Sequence, residues 1–80
     1  MNKKREKRIE EKEKAVFQFI KDFLKENGFA PSFREIASEL HCSVSAGYYT
    51  CRNLREKGLI SFLDGKNRTI IIMEGYADEN

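Results

Sequence analysis

Apolar side chains fall at Val16, Phe17, Ile20, Phe23 and Leu24, three or four residues apart, with Lys21, Asp22 and Lys25 in the polar positions between them. This spacing predicts an amphipathic helix over residues 9–26, stopped by Asn27-Gly28. A second helix starts at Pro31-Ser32-Phe33-Arg34-Glu35-Ile36. Ser32 is placed to accept from the backbone N–H of Glu35, the Glu35 side chain to reach back, and Pro31 to staple onto Ile36. Ile36, Ala37 and Leu40 form its buried stripe, and the small Ala37 lets another helix cross closely. His41-Cys42 breaks the pattern, and Ser43 is a suitable N-cap for a third helix over residues 43–57. Gly47, Cys51, Leu54 and Gly58 follow at i, i+4, i+7 and i+11 and face inward. Ser45, Tyr49, Arg52 and Glu56 point away, with Tyr48 and Asn53 flanking them. Gly58 supplies a left-handed stop.

Residues 59–63 and 68–73 are rich in strand-favouring side chains, and Asp64-Gly65-Lys66-Asn67 between them is a hairpin turn signal. Two short helices separated by about three residues and followed by a hairpin match the helix-turn-helix pattern with an appended wing. The expected fold is mainly α with a small β-hairpin, a three-helix winged helix-turn-helix over residues 15–73. A charged extension, residues 1–14, precedes it and a polar tail, residues 74–80, follows. No internal repeat is visible.

Composition narrows the function. A chain of 80 residues supports one core and no deep catalytic cleft. No Ser/His/Asp set, phosphate-cradling glycine loop or carboxylate pair is present, so an enzyme is not expected. The apolar fraction of 40% suffices for a core despite 35% charged residues. No run approaches the roughly 18–20 apolar residues of a membrane span, and no signal-peptide region follows the basic start, which points to the cytoplasm. Cys42 and Cys51 are too few for a disulfide scaffold and, with His41, lack the paired spacing of a structural zinc site. No metal, cofactor or small-molecule ligand is expected. The net charge is +2, but residues 1–14 hold seven of the cations and the last seven residues only acidic charges. A polyanion suits that distribution.

The expected partner is double-stranded DNA. A helix anchored by its neighbour on one face can lay the other in a major groove about 12 Å wide. On the outer face Ser45, Tyr48, Tyr49 and Arg52 are candidates for base contacts, because hydroxyls donate or accept and arginine bridges guanine O6 and N7. Arg34, Lys66 and Arg68, with Ser32 and Ser43 at the helix starts, suit phosphate contacts that set register. The first fourteen residues read better as a solvated helix extension than as a DNA-binding arm, because four glutamates interrupt the cations. The rival readings are a protein-interaction module using Tyr48, Tyr49 and the acidic tail, and a thiol sensor at Cys42.

The chain resembles the DNA-binding domain of LexA-type repressors over roughly residues 15–73. The resemblance is carried by Ala15-Val16-Phe17-Gln18-Phe19-Ile20, Gly28-Phe29-Ala30-Pro31-Ser32-Phe33-Arg34-Glu35-Ile36-Ala37, Leu40, Leu54, Lys57-Gly58-Leu59-Ile60 and Arg68-Thr69-Ile70. It implies a winged domain that recognises operator DNA and represses transcription. The family's base-reading positions at the start of the third helix correspond to Ser43, Ser45, Ala46, Tyr48 and Tyr49. Its wing turn, which approaches the DNA backbone, corresponds to residues 64–68, including Asn67. The segment between Leu40 and Leu54 is one residue shorter than usual and Tyr48-Tyr49 is not the usual reading pair, which implies a different operator preference. Such repressors continue into a self-cleaving peptidase domain with a Ser/Lys dyad. The resemblance does not extend to that domain and so implies neither inducible self-cleavage nor the dimerisation it provides; the expected behaviour is DNA binding as a homodimer or as paired monomers on two half-sites.

Overall fold

The helices begin at side-chain caps and end where backbone N–H groups of the following residues bond the last carbonyls. The computed structural model describes residues 9–73, and the polar tail and first eight residues lie outside them. Helix α1 spans Glu11–Asn27, α2 Phe33–Leu40 and α3 Val44–Glu56, followed by strands β1 (Ile60–Ser61) and β2 (Ile71–Ile72). The strands pair antiparallel, Ile60 opposite Ile72 and Ser61 opposite Ile71.

At the start of α2, the Glu35 N–H donates to Ser32 Oγ at 3.1 Å and the Ser32 N–H to Glu35 Oε1 at 2.9 Å. This reciprocal cap is the one the sequence predicts. Ser43 Oγ accepts the Ala46 N–H at 3.1 Å and starts α3 in a similar way. Helix α1 ends at Gly28, whose φ is 81°. Helix α3 ends with Gly58 at φ 82°, its N–H bonded to Arg55 O and the Leu59 N–H to Leu54 O. That pair of bonds turns the chain directly into β1. Helix α2 stops differently, with His41 in the left-handed region at φ 57° and the Cys42 N–H bonded to Ala37 O.

The core is drawn from every element. Val16 and Ile20 of α1, Ile36 of α2 and Cys51 and Leu54 of α3 meet Leu59, Ile60 and Ile70. Helices α2 and α3 cross where a Cβ on Gly47 would lie 3.4 Å from the Cα and Cβ of Ala37. Two small residues thus set their separation, as the sequence pattern predicts for Ala37. Cys51 is fully buried, and burial pushes its thiol up to about 12, which makes it a small apolar filler.

Two expectations change. The boundary that charge suggests after residue 14 falls inside α1, which starts at Glu11. Glu13 is only 5% exposed, its carboxylate held by Lys57 and by the Glu10 N–H. A charged residue is buried here because its partner arrives from the far end of α3. The strands are also shorter than residues 59–63 and 68–73. Thr69 Oγ1 takes the Leu63 N–H at 3.0 Å and donates to Lys66 O, while Arg68 turns left-handed at φ 61°. The ladder therefore ends at Ser61 and Ile71, and Phe62 and Ile70 are buried beneath a wing closed by Gly65 at φ 71°.

Candidate nucleic-acid interface

With Gly47, Thr50, Cys51 and Leu54 held in the core, the opposite side of α3 faces outward. Ser45, Tyr49, Arg52 and Glu56 are exposed along it, Tyr49 to 63%. Ser43 and Val44 are exposed at its start and Ala46 is half-buried. Arg34 of α2 and Gly65 and Asn67 of the wing line one concave surface with Val44, Ser45, Tyr48 and Phe33. Three elements thus converge beside the first turn of α3, although Arg34 and Asn67 stand 33 residues apart in the chain.

Tyr48, expected among the base contacts, lines this surface with one part of its half-buried ring and packs with the rest. Its ring meets Phe33 edge-on at 4.8 Å and Phe62 at 5.7 Å, and Phe33 meets Phe62 at 5.3 Å. Its hydroxyl accepts the Gly65 N–H at 3.4 Å, a long bond that points to the wing. The flank of α3 carrying Val44, Tyr48 and Arg55 faces the hairpin, and this rotation draws Tyr48 away from Tyr49. Arg55 completes the contact: its guanidinium lies 4.2 Å from the Phe62 ring centre and donates to Phe62 O and Asp64 Oδ1.

The wing is also latched to the start of α2, through two of the residues expected at phosphates. Asn67 Oδ1 accepts the Phe33 N–H at 2.8 Å, satisfying a free donor of the first helical turn. Arg68 grips Glu35 through both guanidinium nitrogens at 3.1 Å, donates to Ala30 O, and lies over the Phe29 ring at 5.1 Å. The Arg68 bonds, followed by the Ser32 N–H, hold the Glu35 carboxyl below its ordinary value. Arg68 is thus occupied inside the molecule. Sequence reading missed this latch because its partners lie more than thirty residues apart and follow no local pattern. Ser32 and Ser43 accept backbone N–H groups as helix caps, which uses an oxygen lone pair of each hydroxyl and not its proton. Arg34, Arg52 and Lys66, in contrast, are exposed and have no partner among the described residues.

A protruding helix braced by a shorter one, with a hairpin fixed beside its first turn, defines a winged helix-turn-helix domain. The sequence matches the LexA DNA binding domain family over residues 6–69. The chain belongs to that family. It is 33% identical over 73 residues to the LexA repressor of Leptospira biflexa, covering 91% of this chain and 36% of that protein. It is 38% identical over 64 residues to the LexA repressor of Clostridium tetani, covering 79% of this chain and 32% of that protein. The LexA repressor of Desulfatibacillum aliphaticivorans is 33% identical over 67 residues, covering 82% of this chain and 33% of that protein. The chain spans about a third of the length of these relatives. Among the described residues no helix is long and apolar enough to cross a membrane, and no three His, Cys, Asp or Glu side chains cluster to hold a metal ion.

Proposed function

We propose that this domain binds double-stranded DNA sequence-specifically and represses transcription, with α3 in the major groove. The observation that carries the proposal is the convergence of the first turn of α3, the start of α2 and the wing on one surface lined by Arg34, with Arg52 and Lys66 exposed on α3 and the wing. Ser45, Ala46, Tyr49 and Arg52 are the base-reading set, and Arg52 is suited to bridge guanine O6 and N7. Arg34 and Lys66 neutralise phosphates beside the first turn of α3, where the positive end of the helix dipole adds to the attraction. Tyr48, Asn67 and Arg68 hold the wing so that Lys66 is presented at a fixed place. Two copies on half-sites about 34–36 Å apart would read a palindrome. Selection of bound duplexes from a randomised pool, followed by a salt titration of the winner, tests this. The expected result is a recurrent half-site whose affinity falls steeply with salt. Failure to retain any duplex even at low salt sinks the proposal.

A further inference from the structure

Val44, in the first turn of α3, is 42% exposed. The other aliphatic side chains of that helix are Ala46, half-buried, and Leu54, which sits in the core. Val44 is no part of the core cluster. A β-branched residue is also a poor helix former, because it loses rotamer freedom against the preceding turn. Neither packing nor helix formation accounts for an apolar side chain at this place. Leu63 and Ile71 are more exposed still, but neither lines the concave surface that Val44 shares with Ser45 and Arg34.

The position of Val44 decides what it can meet. It is the first residue of α3, and Cα–Cβ bonds tilt toward a helix N-terminus, so its side chain projects ahead of the helix end as well as sideways. The N-terminal residues of a recognition helix are the ones that reach base edges. Arg34, exposed on the same surface, suits the phosphates that border a groove, which selects DNA as the occupant. The floor behind Val44 is fixed: Phe33 and Tyr48 pack edge-on at 4.8 Å, and Asn67 holds the Phe33 N–H. In the major groove the base pairs present hydrogen-bond donors and acceptors and one apolar group, the C5-methyl of thymine. An isopropyl group pairs with none of the polar edges, and covering one without a partner costs free energy.

Resting on the proposed DNA reading, we infer that Val44 reads a thymine by packing against its C5-methyl. It thereby joins Ser45, Ala46, Tyr49 and Arg52 as a specificity-determining residue, although its apolar side chain has no hydrogen bond to offer. The stiffness of a β-branched side chain suits this role, since little rotamer freedom is left to lose on contact.

The test removes methyl groups from both sides of the contact. Each thymine of the selected half-site is replaced in turn by deoxyuridine, which lacks only the C5-methyl. Each duplex is titrated by fluorescence anisotropy with the full native chain, with Val44→Ala and with Val44→Thr, which keeps the branched shape but exchanges a methyl for a hydroxyl. Thermal melts verify that the variants fold. Loss of one buried methyl corresponds to about a three- to fivefold change in affinity. The native chain is expected to lose about three- to fivefold at one thymine of the half-site, and Val44→Ala less than about 1.5-fold at that thymine, with Val44→Thr between the two. A half-site without thymine, or a deoxyuridine penalty that Val44→Ala retains in full, overturns the contact while α3 recognition stands. A Val44→Ala loss that is equal on every duplex marks a sugar contact and overturns it too. Absence of binding by the native chain to any duplex overturns both.

Discussion

Replacing Lys57 by methionine should destabilise the domain by about 2–3 kcal/mol, because it strands a buried carboxylate. The Glu13 side chain is 6% exposed and that of Lys57 20%, and their ion pair ties the first turn of α1 to the end of α3. Methionine keeps much of the aliphatic stem and removes the ammonium. Among the described residues the Glu10 N–H, at 3.1 Å, is then the remaining donor to Glu13. Breaking a fully buried pair from one side costs about 3–5 kcal/mol. The partial exposure of Lys57 and the surviving Glu10 bond lower that to about 2–3 kcal/mol. A domain of this size has roughly 4–10 kcal/mol of stability in all. Each kcal/mol moves its melting temperature by about 4–8 °C. Urea and thermal unfolding followed by circular dichroism at pH 7 should therefore register a loss of roughly 8–24 °C. Combining Lys57→Met with Glu13→Leu removes both charges and should recover most of the loss. A Lys57→Met effect below about 1 kcal/mol, or a double variant that loses the sum of the two singles, would refute the coupling.

Three further predictions separate reading residues from positioning residues. Tyr48→Phe keeps the edge-on packing with Phe33 and Phe62 and should leave the selected half-site unchanged, whereas Arg52→Ala should relax one base position by about 1–3 kcal/mol. A changed half-site in Tyr48→Phe contradicts the packing assignment. Arg68→Ala removes the grip on Glu35 and should cost about 1 kcal/mol at pH 7, since both side chains are partly exposed. The folded-state pKa of Glu35 lies below its ordinary 4.5, so this contribution is present above that pH and lost as pH falls through the folded value. The gap between native and Arg68→Ala urea midpoints should accordingly shrink on going from pH 7 to pH 3. His41→Gly relieves a left-handed φ of 57°. That relief is partly offset by the entropy glycine adds to the unfolded chain, and a net gain of up to about 1 kcal/mol is expected. A lower melting temperature would count against strain at that position.

Local chemistry determined much of this protein. The 3.6-residue spacing, the Ser32–Glu35 reciprocal cap, Ser43, Gly58 and the small Ala37–Gly47 pair each act over a few bonds or one turn. Such features place three helices and the outward residues Ser45, Tyr49 and Arg52 without reference to the rest of the chain. What the hairpin does was less legible. Strand propensity extends through residues 59–63 and 68–73, but it carries no information about Thr69 taking the Leu63 N–H and ending the ladder.

Tertiary structure decided which charges are free. By composition Arg34, Lys66, Arg68, Lys57 and the glutamates of residues 1–14 are interchangeable surface charges. In the folded chain Arg68 is bound to Glu35 and Lys57 to Glu13, while Arg34, Arg52 and Lys66 are exposed. Tyr48 and Tyr49 are neighbours with the same side chain, yet a rotation of about 100° per helical residue sends one to the wing and the other to solvent. The physical reason is range: caps and periodicity are settled between residues a turn apart, whereas ion pairs across 33 to 44 residues and aromatic contacts between separate elements exist only once the helices have packed.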